Sequence, residues 1–303
     1  MGRNNMKKVL VIGSAVVDVI ITLDHLPGRS EDVHVKTQTM SLGGCAYNTS
    51  DIIRHFGVPY IPFFPVGKGA YGDFVRNQLA LRGITSPIPT PDSENGCCYC
   101  FVEEDGERTF ISYHGAEYRF ERSWFDSLDA SSIGSVYICG LEIEETTGNN
   151  IVDYLEQHPE FTVFFAPGPR LEKIHPELMK RVFDLKPVLH LNEDEALSYT
   201  GKNNLEDAAW YLNQLSGNAV IITLGKDGCY LYDQGQGCTI PGIPAIQIDT
   251  IGAGDSHIGA VIACLQLGKT LPEAIATANR VSSKVVETKG ALLSDEEFRS
   301  LNL

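Results

Sequence analysis

Five short, almost unbroken apolar runs punctuate this chain, at residues 9–12, 136–139, 162–166, 188–191 and 219–224. A strand with one wet face alternates apolar and polar side chains, so runs of this kind read as strands covered on both faces. Helical patterns lie between and after them. Leu205, Ala208, Ala209, Leu212 and Leu215 form one stripe closed by Gly217, and Ile275, Ala278, Ser282 and Val285 repeat the spacing after Pro272, which suits a first helical turn. A further helix is predicted over 46–56, stopped by Gly57, and an apolar segment at 258–267 continues another. Strands alternating with helices build a mainly parallel sheet covered on both sides, an α/β three-layer αβα sandwich.

Two regions break this pattern. Residues 16–42 hold β-branched stretches at 16–22 and 33–39 around a Pro27-Gly28 turn. Residues 97–114 hold two β-like runs joined by Asp105-Gly106, a strong hairpin signal. The four strands read as a small separate sheet inserted into one domain spanning 1–303. Such a sheet either closes as a lid over a crevice or decorates its edge.

Charge and cysteine usage narrow the function. The 303 residues carry 24 Lys+Arg against 39 Asp+Glu, a net charge of −15. That balance repels nucleic-acid backbones and anionic lipid surfaces, yet leaves room for a small anion held by local donors. No apolar run approaches the ~20 residues of a spanning helix. The first eight residues are polar and basic, unlike a signal peptide, and Met6 stands where a myristoylation motif at Gly2 needs Ser or Thr. The eight cysteines form no CxxC pair and no metal-spaced cluster with histidine, so free thiols in a reducing cytoplasm are expected.

The sharpest segment is Asp249-Thr250-Ile251-Gly252-Ala253-Gly254-Asp255. Glycines at a helix start let successive N–H groups converge where the helix dipole is positive, which suits an anion such as phosphate. Asp255, in the first turn, is available to accept a proton or merely caps the helix. Gly43-Gly44-Cys45-Ala46-Tyr47-Asn48 opens another helix, with glycines that admit a ligand close to the backbone and an amide that donates and accepts. Asn192-Glu193-Asp194-Glu195 begins just past a predicted strand, where open α/β sheets bind ligands. Asn192 and Glu195 share a helix face, and either hold a hydrated Mg²⁺ or form an acid-rich helix start. Gly225-Lys226-Asp227-Gly228 reads as a hairpin-like turn at the same sheet edge, and Asp18 lies near the end of the first strand. Gly268-Lys269-Thr270 has a P-loop ending, but Ala263 stands where the first glycine belongs, and no strand-linked GxGxxG marks a dinucleotide site.

In their order and spacing these motifs resemble the ribokinase-like (PfkB) carbohydrate kinases, a likeness running from Val9 to about Ser294. The resemblance implies an αβα sandwich with a β lid. It implies that ATP, as its Mg²⁺ complex, donates its γ-phosphoryl to a hydroxymethyl group of a sugar or nucleoside. Asp255 would be the base, and the backbone of Gly252, Ala253 and Gly254 the anion hole. Asp18, Gly43, Gly44, Asn48 and Glu142 would bind the acceptor. Asn192, Thr223, Gly225, Gly228 and Asn279 would line the nucleotide, with Glu195 ordering the Mg²⁺ waters. A monovalent cation such as K⁺, common in the family, would fall to Asp249 and the carbonyls of Ile251, Val285 and Gly290, with Ser294 nearby.

Departures from the family pattern bear on the acceptor. His257-Ile258 replaces a small residue followed by Phe, and Cys45 and Tyr47 replace small residues that would sit near the acceptor. Tyr113-His114-Gly115 and Arg108 could reach the acceptor from the lid, or Arg108 is a surface residue. A sugar phosphate is disfavoured because the acceptor motifs lack Lys and Arg, although Lys36, Arg108 and Arg119 lie in the lid region. Three rivals remain: a nucleoside kinase, a non-catalytic sugar sensor that had no need to keep Asp255, and a nicotinamide-linked oxidoreductase that lacks its fingerprint. Exposed lid edges could also pair two copies into a homodimer.

Overall fold

The computed structural model describes residues 6–104 and 107–303. The expected hairpin signal at Asp105-Gly106 and the residues at 1–5, Gly2 among them, lie outside the described residues. In chain order the strands are β1 (Lys8–Ile12), β2 (Val16–Thr22), β3 (Thr37–Gly43), β4 (Tyr60–Phe63), β5 (Cys97–Val102), β6 (Arg108–Tyr113), β7 (Ile133–Cys139), β8 (Thr162–Ala166), β9 (Val188–Asn192), β10 (Val220–Thr223), β11 (Gly228–Asp233) and β12 (Gln236–Pro241). The helices are α1 (Cys45–His55), α2 (Gly69–Leu81), α3 (Gly140–Glu144), α4 (Gly148–Glu156), α5 (Pro176–Asp184), α6 (Glu193–Thr200), α7 (Leu205–Ser216), α8 (Ala253–Gln266), α9 (Leu271–Val286) and α10 (Asp295–Ser300).

The five apolar runs become β1, β7, β8, β9 and β10, side by side and parallel in an eight-stranded sheet of order β12-β11-β10-β9-β8-β7-β1-β4. Their continuous hydrophobicity reflects the two cores they serve. Val9 and Val11 of β1 pack into one core with Ile52 of α1, Ile258 of α8 and Ile275 of α9. Leu10 and Ile12 face the other, with Ile151 of α4, Val182 of α5 and Leu212 of α7. Burying each such side chain is worth ~1.5–3 kcal/mol, so the buried positions of these strands are mostly apolar, with Ser135 of β7 and His190 of β9 the polar exceptions. The sheet is therefore the central layer of a three-layer αβα sandwich. β4 escaped the sequence reading because it is a four-residue edge strand containing Pro62, a residue that only an edge tolerates. β11 and β12 add an antiparallel hairpin at the other end.

Helix boundaries obey local chemistry. α7 opens where the Asn204 side chain accepts from the Asp207 N–H and closes at Gly217, whose φ is 62°. The Gly268-Lys269-Thr270 segment is structural: Thr270 and Glu273 form a capping box for α9, and Lys269 Nζ donates to Thr277 Oγ1 at 2.9 Å. α8 starts at Ala253, earlier than the apolar pattern at 258–267 shows, because its first turn is made of the glycine motif. Among the described residues no helix is long and apolar enough to cross a membrane.

The other four strands form a separate sheet of order β3-β2-β5-β6. One face of β2, carrying Val17, Val19 and Ile21, is buried in the first core with Val75 and Leu79 of α2. The other face carries a row across all four strands, Ser41, Asp18, Cys98 and Ser112. β3 departs from the expected 33–39. It pairs residue for residue with β2, from Thr37 opposite Thr22 to Gly43 opposite Val16, so the β-branched Val33 and Val35 fall beyond the end of their partner.

Candidate active site

The parallel strands end together, and the segment after each one turns toward a single crevice. Cys139 at the end of β7, Ala166 to Arg170 from the end of β8 onward, Asn192 at the end of β9 and Thr223 at the end of β10 line a cavity of about 270 Å³, shared with Cys45, Gly254 and Asp255. A second cavity of about 260 Å³ is lined by Thr223, Gly225, Gly228, Ala253, Gly254, His257 and Asn279. Thr223 and Gly254 line both. The two spaces thus meet at the N-terminus of α8, where the first-turn amides lack intrahelical acceptors and the dipole is positive.

That helix start depends on Gly252, which precedes α8 with φ 75° and ψ 1°. A Cβ there would lie 2.5 Å from Ala291 Cβ and 2.8 Å from Ala291 Cα. A Cβ on Gly254 would meet nothing within 4 Å, so this part of the turn opens onto the cavities. Gly259 brings α1 against α8, since a Cβ there would stand 2.7 Å from the Thr49 carbonyl oxygen. This close approach places Asn48 of α1, whose Nδ2 donates to Asp255 Oδ2 at 2.9 Å. Burial pushes Asp255 up to about 6, against the opposing hydrogen bonds from Asn48 and Cys45.

Two further carboxylates gather nearby. Glu142, on the first turns of α3, is completely buried; its Oε1 accepts the Ser14 N–H at 2.8 Å, while Oε2 has no partner. Asn48 Oδ1 is likewise buried without a partner. Burial pushes Glu142 up to about 7. Burial, and then the charge of Asp255, push Asp18 up to about 7. Gly43 makes room for that carboxylate: a Cβ on it would lie 1.9 Å from Asp18 Oδ2. Gly44 has φ 106°, and a Cβ on it would meet the Ser14 carbonyl oxygen at 2.6 Å. Buried acceptors left without a partner are uncommon, and a hydroxyl donor would satisfy both Asn48 Oδ1 and Glu142 Oε2.

The expected nucleotide and metal residues divide. Thr223, Gly225 and Gly228 line the second cavity. Asn279 also lines it but turns its amide inward: Nδ2 donates to the Ile240 and Pro241 carbonyls at 3.2 and 3.0 Å, and Oδ1 faces His257 Nε2 at 3.0 Å. His257 Nδ1 in turn lies 2.9 Å from His190 Nε2, and burial holds both imidazoles below their usual range. Asn192 and Glu195 line the first cavity while capping α6 reciprocally, with Asn192 Oδ1 accepting the Glu195 N–H at 2.8 Å and Glu195 Oε2 accepting the Asn192 N–H at 3.0 Å.

Three of the candidate monovalent-cation ligands, Asp249, the Val285 carbonyl and Ser294, already have partners. Asp249 Oδ1 accepts from Arg108 Nη1 at 2.7 Å and from the Ile251 N–H at 2.9 Å, and Oδ2 accepts the Gly290 N–H at 3.0 Å. The Val285 carbonyl accepts both the N–H and the Oγ1 hydroxyl of Thr288, at 3.0 and 2.8 Å. Ser294 caps α10 through Glu297. This donor set does not fit a monovalent cation, because its one carboxylate already holds a guanidinium.

Of the departures, Cys45 does line the cavity with Asp255. Tyr47 does not: it is fully buried in the first core, because α1 turns Asn48 to the site and Tyr47 toward the packed interior. Tyr113 is exposed on an outer strand, and His114 Nδ1 sits 2.7 Å from Glu145 Oε1. Arg170 went unread in the sequence. It follows β8 in an Ala166-Pro167-Gly168-Pro169 turn, lines the first cavity and pairs with Glu144. Its position just past a strand end was the available signal.

Residues 6–297 match the profile of the pfkB family carbohydrate kinases. The chain belongs to this family. The kinase is 33% identical over 288 residues to the uncharacterised sugar kinase YegV of Escherichia coli K12, covering 94% of this chain and 90% of that one. The ribokinase structure of Thermotoga maritima superposes with a TM-score of 0.83 at 20% identity, over 98% of this chain and 99% of the other. The aminoimidazole riboside kinase of Salmonella enterica, solved with aminoimidazole riboside and an ATP analogue, superposes at 0.79 with 22% identity, over 97% and 98%. The sandwich with its separate four-stranded sheet is thus the ribokinase fold.

Proposed function

We propose that this pfkB-family kinase transfers the γ-phosphoryl of ATP to a hydroxymethyl group of a sugar, with Asp255 accepting the hydroxyl proton and the Gly252-Ala253-Gly254 backbone receiving the phosphoryl charge. One observation carries the reading: two cavities meet at Gly254, with Asp255 opening on one side and the glycine turns of 225 and 228 on the other. An alcohol and a triphosphate entering from opposite sides would meet at the α8 N-terminus. Catalysis of this kind is positioning and charge stabilisation, with the base holding a proton released late. Arg170, paired with Glu144, stands on the same wall.

Among the described residues no three His, Cys, Asp or Glu side chains gather to bind a metal directly. Mg²⁺ carried in with the nucleotide would supply neutralisation of phosphate charge. Glu195, a hard oxygen donor on the first-cavity wall, would hold its waters. The eight cysteines are all free, in keeping with a cytoplasmic enzyme.

Asp18, Asn48 and Glu142 suit adjacent hydroxyls of a polyol. A nucleoside acceptor is the second reading, favoured by the aligned Ile20, Cys100 and Phe110, one same-face row beyond Asp18 on the small sheet. ATP turnover against pentoses, hexoses and nucleosides separates them. Measurable sugar binding with no turnover of any acceptor would instead make the protein a sensor. Met40, Ile111 and Tyr113 are exposed on the outer strands, which supports pairing of two small sheets in a homodimer; a monomer mass by light scattering at micromolar concentration would refute this.

The raised acids leave a pH signature. With Asp255 at about 6, kcat falls as pH drops through about 6, read from a pH–rate profile; a profile flat down to about pH 4.5 would remove its role as base. Glu142→Gln raises the acceptor KM by about tenfold or more, the scale of a lost hydrogen bond to a charged group. Its stability moves the other way. A carboxyl whose folded pKa of about 7 exceeds its unfolded value destabilises the fold as pH rises through about 4 to 7, so Glu142→Gln melts no lower than wild type at about pH 8. A large loss of Tm at that pH with an unchanged KM would make Glu142 a structural residue.

A further inference from the structure

We propose that Arg108, carried by the small sheet, is the resident positive charge of this kinase's anion hole, replacing a monovalent cation and tying the order of that loop to the position of the sheet. Arg108 begins β6, opposite Val102, which pairs with Thr22. It crosses from this sheet to Asp249 of the core, 141 residues away in the chain. Asp249 is nearly buried and fastens two segments at once: its carboxylate holds the Ile251 amide, one residue before Gly252, and the Gly290 amide. Ala291, next in the chain, is the surface on which Gly252 packs. The carboxylate is therefore the staple that shapes the turn leading into α8.

A bare carboxylate at that place would oppose the arrival of a polyanion. A cation beside it removes the opposition, and a guanidinium does so with a planar fork of donors matched to a carboxylate. Burial raises Asp249, but the hydrogen bonds from Arg108, Ile251 and Gly290 outweigh it and hold the carboxyl below its usual range. A free cation would have to approach a carboxylate that already accepts three donors, next to a fixed positive charge. The Val285 carbonyl, occupied twice by Thr288, offers it no second ligand. Because the arginine stands on the small sheet, displacement of that sheet would withdraw the charge from the loop. The anion hole would then be complete only with the sheet in place.

The kinetic part of this inference rests on the phosphotransferase reading, whereas its binding part does not. In choline buffer free of K⁺ and Na⁺, wild-type kcat with the acceptor that turns over in the panel stays within about twofold of its value in added KCl. Arg108→Ala lowers kcat by ~10²-fold, the scale of losing one donor at an anion hole, with the acceptor KM little changed. KCl or guanidinium chloride restores part of the loss, and Arg108→Lys retains more activity than the alanine variant. Independently of any acceptor, titration of TlCl into the Mg·ADP complex shows no heat specific to wild type and a saturable site in Arg108→Ala. Thermal melts confirm that both variants fold. A severalfold stimulation of wild type by K⁺, saturable Tl⁺ binding to wild type, or an Arg108→Ala enzyme with unchanged kcat would each overturn the proposal. If no acceptor turns over, the Tl⁺ titration still decides it.

Discussion

Asp255→Asn lowers kcat by ~10²–10⁴-fold, the range expected for loss of a positioned general base, and leaves the affinity for Mg·ATP within about threefold. The substitution is nearly isosteric. The carboxamide oxygen of the variant can still accept from Asn48 Nδ2, which now holds Asp255 Oδ2 at 2.9 Å, so the α1–α8 contact survives. What disappears is the group able to hold the proton. Stability supplies the control. Burial raises Asp255 from 3.8 to about 6, so the charged form is disfavoured by folding, and its cost is fully present above about pH 6. The asparagine removes that cost, and the variant melts at or above the wild-type temperature at about pH 8. A coupled ADP-release assay, calorimetric titration with Mg·ATP and a thermal melt read the three quantities. An unchanged kcat would end the assignment of Asp255 as the base, and a collapsed Tm would make its role structural.

Gly252→Ala lowers kcat by ~10²–10³-fold, the loss associated with a displaced anion-hole donor, and destabilises the protein by about 1–2 kcal/mol from the left-handed backbone alone. The cause is steric. The new methyl would lie 2.5 Å from Ala291 Cβ and 2.8 Å from Ala291 Cα, and backbone does not yield as a flexible side chain does. The turn must shift, and it carries the amides of Ala253 and Gly254 with it. Gly254→Ala is the contrasting case. It meets open space, so its Tm holds while the methyl intrudes where the two cavities join and weakens Mg·ATP binding. Steady-state kinetics and melts of the two variants test the pair together. Equal behaviour of both, or full activity in Gly252→Ala, would show that the turn is not the phosphoryl cradle.

Much of the fold was legible because local pattern and global burial agree. The five apolar runs are parallel neighbours in the sheet, and each run is apolar on both faces because each serves both cores. The helix start at Gly252 was legible for a similar reason: its glycines and acid are consecutive in the chain. The errors fall where pairing overrides propensity. Val33 and Val35 are good strand formers without a partner, while Leu42 and Gly43 join β3 because β2 lies alongside them. Tyr47 and Asn48 are adjacent in sequence but lie on opposite sides of one helix, one in the core and one on Asp255.

What the sequence alone determined is the layer architecture, the parallel sheet and the glycine turn that opens onto Asp255, since each depends on residues within a few positions of one another. Only the tertiary structure decided which polar groups remain open to a ligand. Asn279 and Asp249 stand in the expected motifs, yet one turns its amide to β12 and His257, and the other is held by Arg108 of the small sheet. The reason is physical: a buried donor or acceptor is spent or free according to which groups folding brings within about 3 Å. Those neighbours come from distant parts of the chain.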